Sequence, residues 1–118
     1  MEHVEEFLRE YGEVDRLVRI GNFDQHVKEQ HHEVKFSEVL EVQQNLAETE
    51  YFYNEGHFEG DPGRDAPLVM LGFTSERKFL CVPIEPASTR GTWRALTAFE
   101  PDGPFYPRLY QEFREDQS

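Results

Sequence analysis

Two near-continuous apolar runs, Leu68-Val69-Met70-Leu71-Gly72-Phe73-Thr74 and Phe79-Leu80-Cys81-Val82-Pro83-Ile84, stand four polar residues apart. Runs this short, bounded by turn formers, read as buried strands, and the spacer Ser75-Glu76-Arg77-Lys78 suits a hairpin. They are therefore expected as the central strands of a sheet. Pro83 has no N–H for a ladder, so the second strand should bend or reach an edge near that point.

The remaining segments are arranged around this hairpin. Val4, Phe7, Leu8 and Tyr11 fall at helical spacing and Gly12 closes the pattern. Glu13 to Ile20 is open to a strand or a further helical turn, with strand preferred. After Gly21-Asn22, Asp24 suits the N-cap of a helix running to about His31, and Ser37 suits the cap of another, Glu38 to about Leu46, with Val39, Leu40, Val42 and Leu46 as its apolar stripe. Thr49, Tyr51 and Tyr53 then alternate with Glu50, Phe52 and Asn54 as a strand. Gly56 to Pro67 carries three Gly and two Pro and is expected as an exposed, disordered loop. Thr92 to Phe99 reads as a strand with Trp93, Ala95, Thr97 and Phe99 on one face. Beyond Pro101-Asp102-Gly103-Pro104, Leu109, Tyr110 and Phe113 form one face of a last helix. The expected fold is α+β: an antiparallel sheet of about four strands, with the N-terminal helices and one C-terminal helix packed on one face.

A length of 118 residues is enough for one domain and one core. Cys81 is the lone cysteine, so no internal disulfide forms. Its apolar setting predicts an inert buried thiol. With neither a leader pattern nor a long apolar run, a cytoplasmic location is expected. Of the net charge of −12, residues 1–60 hold −10, from fifteen acidic against five basic side chains. A field of that sign disfavours RNA and favours a basic protein partner, which such a surface could engage as a nucleic-acid mimic.

The histidines His26, His31 and His32 invite a metal reading, but position 36 is Phe36 where a zinc helix would need its second ligand, so no metal and no cofactor are expected. Cys81 and Ser37 are better explained as core and cap than as nucleophiles. Metal-free RNA cleavage needs an acid–base group, a cation for phosphorane charge and a proton donor. His32 (or His31), Arg94, Arg108 and Tyr110 have the required chemistry.

The succession Phe23-Asp24, His32-Glu33-Val34, Phe36, Glu38-Val39, Leu71-Gly72-Phe73-Thr74, Arg94-Ala95-Leu96-Thr97-Ala98 and Leu109-Tyr110 resembles the BrnT-type toxins of bacterial toxin–antitoxin modules, in the RelE/ParE-like group. The resemblance covers residues 22–112. It leaves 1–21 as an N-terminal extension and 113–118 as a polar tail of a single domain. It implies a ribonuclease toxin neutralised by an antitoxin, or a derivative that kept the scaffold and lost the cut. In the active form His32 would do acid–base work, Arg94 would meet phosphate charge and Tyr110 would position the substrate. Phe99 stands where the family carries an arginine, and the acidity is unlike that of RNA-cleaving toxins.

Overall fold

The computed structural model describes residues 2–21, 23–29, 33–54 and 66–117. In chain order its elements are α1 (Glu2–Tyr11), β1 (Arg16–Arg19), α2 (Phe23–Glu29), α3 (Phe36–Gln44), β2 (Glu50–Tyr53), β3 (Leu68–Phe73), β4 (Phe79–Pro86), β5 (Thr92–Ala95) and α4 (Phe105–Asp116). The expected loop Gly56 to Pro67 lies, as far as Asp65, outside the described residues. The hairpin of β3 and β4 is central, in register from Leu68 opposite Ile84 to Phe73 opposite Phe79.

The sheet corrects the expectation in strand number and direction. It has five strands in the order β1-β5-β4-β3-β2, and it is mixed: β1 runs parallel to β5, with Arg16 opposite Thr92, while the other pairs are antiparallel. Glu13 to Ile20 thus supplies the parallel edge strand. Two glycines let it seat. Gly12, at φ +90°, ends α1 so close to Gly91 that a Cβ there would stand 2.6 Å from the Gly91 nitrogen. Gly91, at φ +87°, donates to the Tyr11 carbonyl at 2.9 Å and accepts from the Arg16 amide at 3.0 Å. Trp93 is fully buried beneath this junction and donates its indole N–H to the Gly12 carbonyl at 3.1 Å. Residues 2–20 are therefore structural: Val4, Val14 and Leu17 belong to the main core.

Helices cover both faces of the sheet, not one. Alternation along β3 and β4 sends Leu68, Met70, Leu80, Val82 and Ile84 towards Val4, Phe23, Val27, Val39 and Val42 of the N-terminal helices. Val69, Leu71 and Cys81 point the other way, where Phe52 and Tyr110 complete a second core with Phe73, Phe79, Leu109 and Phe113 around it. Both faces being filled explains why β3 and β4 read as continuous apolar runs.

Pro83 lies in the middle strand, opposite Val69, and not at an edge. Its carbonyl accepts from the Leu96 amide at 3.0 Å, so its nitrogen faces β5. There the ladder slips: Ile84 pairs with Ala95 but Cys81 bridges Phe99, one residue more on the β5 side. This bulge falls where the missing donor would have bonded, and it turns Phe99 to the second core while Trp93 and Ala95 stay in the first. The expected single face for Trp93, Ala95, Thr97 and Phe99 is corrected accordingly.

Two helix details also differ. The third helix begins at Phe36 after Lys35, whose backbone N–H donates to Glu38 Oε1 at 3.0 Å, so Ser37 lies inside the first turn. It ends at Gln44, which leaves Leu46, expected in the apolar stripe, 81% exposed. Among the described residues no helix is long and apolar enough to cross a membrane.

Candidate functional site

His31 and His32 lie outside the described residues, as does the His26 side chain. Arg94 and Tyr110 are both placed, and the fold holds them apart. Arg94 projects from β5 opposite Glu85 of β4, and the two are joined by a 2.7 Å ion pair. Tyr110, on α4, packs its ring against Phe73 and Phe79, with centroids 5.7 and 5.3 Å away, at the other end of the same strand. From Phe79 to Glu85 is six strand residues, roughly 20 Å. Both side chains serve the sheet's α4 face without meeting across it. Arg108 is exposed on α4.

Each of the two placed groups also has a structural occupation. The Tyr110 hydroxyl donates to the Glu48 carbonyl at 2.6 Å, anchoring α4 to the loop before β2, and burial raises its pKa. Around it, Arg77 grips Glu48 through two bonds of 2.8 and 3.0 Å and stacks 4.3 Å over the Phe73 ring. Arg114 bonds Glu50 at 2.9 Å and the Ala47 carbonyl at 3.1 Å. The hydrogen bonds from Arg77 and Asn45 hold Glu48 at about 2, below its usual range.

A concavity lies on the opposite side, where β1, α2 and the start of α3 converge. Arg19, Asp24, Val27, Lys28, Glu33, Val34, Lys35, Phe36 and Ser37 line a groove of about 750 Å³. Val27 and Val34 are buried in its floor, and Phe36 is wedged edge-on against Phe23, with centroids 5.4 Å apart. Arg19 lies 5.5 Å over the Phe36 ring and pairs with Asp24 at 2.9 Å, so Asp24 holds an arginine where a cap was expected. Lys78 reaches across from the β3–β4 turn and bonds both the Glu33 carbonyl and the Glu38 carboxylate at 3.0 Å, bracing the segment that carries Lys35. Burial works to raise the Glu38 pKa, but the Lys35 amide and Lys78 outweigh it and lower it.

Lys28 and Lys35 are exposed and form no close ion pair among the described residues, although the Lys35 charge also helps to lower the Glu38 pKa. The groove therefore gathers three of the twelve basic residues of an acidic chain. Sequence reasoning passed over them because it weighed the acidity of residues 1–60 as a sum. The visible signal was that Arg19, Lys28 and Lys35 are three of only five cations in that half. Among the described residues no group of three or more His, Cys, Asp or Glu side chains is placed to hold a metal ion. No protein-family model, curated protein or solved structure matches the chain.

Proposed function

We propose that this chain is a BrnT-like scaffold that acts by binding a basic protein partner and not by cutting RNA. The observation that carries the reading is that Arg94 and Tyr110 are engaged at opposite ends of β4, beside Glu85 and Phe79, positions roughly 20 Å apart along the strand, whereas the reacting atoms of a phosphodiester span a few ångströms. Each is also engaged elsewhere, Arg94 with Glu85 and Tyr110 with the Glu48 carbonyl. The succession of motifs supports the scaffold half of the reading. Phe23-Asp24 opens α2, Glu38-Val39 lies in α3, Leu71-Gly72-Phe73-Thr74 ends β3, and Leu109-Tyr110 lies in α4.

The partner's charge follows from the surface. Glu5, Glu6, Glu10, Glu13 and Asp15 are all exposed along α1 and the turn after it, a run of carboxylates on a molecule of net charge −12. Such a ridge attracts a cationic surface and repels a nucleic-acid backbone. The test is incubation of the purified chain with mixed RNA and a chelator, beside a His32→Ala variant. Intact RNA is expected from both proteins, and cleavage that vanishes in the variant would restore the toxin reading. A partner complex should in turn weaken steeply as salt rises, and indifference to ionic strength would contradict the charge argument.

A further inference from the structure

We propose that the groove between α2 and α3 binds a phosphate monoester, with Lys28 and Lys35 on the phosphate and Phe36, Val27 and Val34 against the organic part. This site lies apart from the acidic ridge and stands whether or not the basic partner exists. Among its described lining residues three cations stand against two carboxylates. Asp24 is paired with Arg19, which leaves Lys28 and Lys35 against Glu33, while Glu38, beside Lys35, is paired with Lys78. At physiological ionic strength charges are screened over about 8 Å, so a phosphate in the groove feels the two adjacent ammonium groups more than any acid farther away than that.

The shape fits a ligand with a charged end and an apolar end. The volume, about 750 Å³, lies within the range of small-molecule sites, and the floor is a buried valine pair beside an aromatic ring. Arg19, fixed by Asp24 and by the face of Phe36, holds that ring in place. The bond of Lys78 to the Glu33 carbonyl, and that of the Lys35 amide to Glu38, hold the backbone under Lys35. The lysine side chains can thus move onto a ligand over a fixed base.

The experiment is an amide chemical-shift titration of the whole chain with inorganic phosphate in one arm and adenosine monophosphate in the other, at constant ionic strength. Saturable shifts confined to Val27, Lys28, Lys35, Phe36 and Ser37 are expected. Tighter binding in the nucleotide arm would identify an ester with an aromatic group, and equal binding would identify the phosphate alone; either supports the site. A Lys28→Ala, Lys35→Ala double variant should lose roughly a hundredfold or more in affinity, since each charge-assisted hydrogen bond contributes about tenfold. Both side chains are exposed, so the fold should be untouched, and Arg108→Ala, on the other side of the sheet, should bind as the wild type does. Absence of saturation in the millimolar range, or shifts that survive in the double variant, would overturn the proposal.

Discussion

Replacing Gly72 by alanine should destabilise the fold, and the size of the effect follows from what surrounds it. Gly72 ends the inner face of β3 where a longer side chain would strike α3 and the loop after it. A Cβ built there stands 2.7 Å from Thr49 Oγ1 and 2.9 Å from Val42 Cγ1. Neither neighbour retreats freely. Thr49 is buried and its hydroxyl donates to the Val42 carbonyl, and Val42 is fully buried in the main core. Overpacking of this kind costs about 1–3 kcal/mol, and displacing the Thr49 hydroxyl adds about 0.5–1.5. Against this, alanine restricts the unfolded chain, a gain of about 0.4–1 kcal/mol. The packing effect wins, so Gly72→Ala should lose about 1–3 kcal/mol, or about 4–12 °C in Tm for a domain of this size. Urea unfolding of four proteins checks it: wild type, Gly72→Ala, Thr49→Ala and the double variant. Removing Oγ1 relieves the nearest clash, so the double variant should be more stable than the two single losses added together. Gly103→Ala, where no atom lies within 4 Å, serves as the open-space control. A Gly72→Ala protein as stable as the wild type, or strict additivity with Thr49→Ala, would refute the packing argument.

Two other outcomes are expected. Glu48 is held at about 2 against a usual 4.5, so its folded-state value is the depressed one; it stabilises the fold above about pH 4.5 and loses that contribution as pH falls towards 2. Glu48→Gln should therefore lower the urea midpoint at neutral pH and converge on the wild type by about pH 2, and a gap that stays constant across this window would contradict the assignment. Cys81 is fully buried, and burial pushes its thiol well above the ordinary range. An aromatic disulfide reagent should modify it only as fast as the protein unfolds, and prompt stoichiometric labelling of the folded chain would show the second core to be open.

How legible the fold was in the sequence varied with the range of the interaction that set each feature. Patterns of local origin read well: the helical spacing of Val4, Phe7, Leu8 and Tyr11, the apolar runs of β3 and β4, and the alternation through Tyr51 to Tyr53 all became the expected elements. The partner of β1 was not legible. Its parallel pairing with β5 depends on two distant glycines meeting, and neither Gly12 nor Gly91 signals the other. Pro83 was read as a bend or an edge, and that choice stayed open because nothing local shows that a bulge at residues 96–98 accommodates it from the neighbouring strand. The site was less legible still. Arg94 and Tyr110 were grouped by chemistry, and their separation depends on strand register. Lys28 lies in α2 and Lys35 just before α3, and only the folded chain lines one groove with both.

The parallel contact of Arg16 with Thr92 also constrains how the chain assembles. The strands β2, β3 and β4 follow one another as neighbours and can pair soon after they form, but β1 has no partner until β5 exists. Loop closure over that span is entropically slow, and topologies rich in distant pairings fold slowly. A strand made before the rest of the sheet thus waits for the last strand to be made, and until the two meet one edge of β5 and the face of Trp93 lie bare. The carboxylates of α1 and its turn give this waiting segment a net negative charge, which keeps early chains from associating with one another.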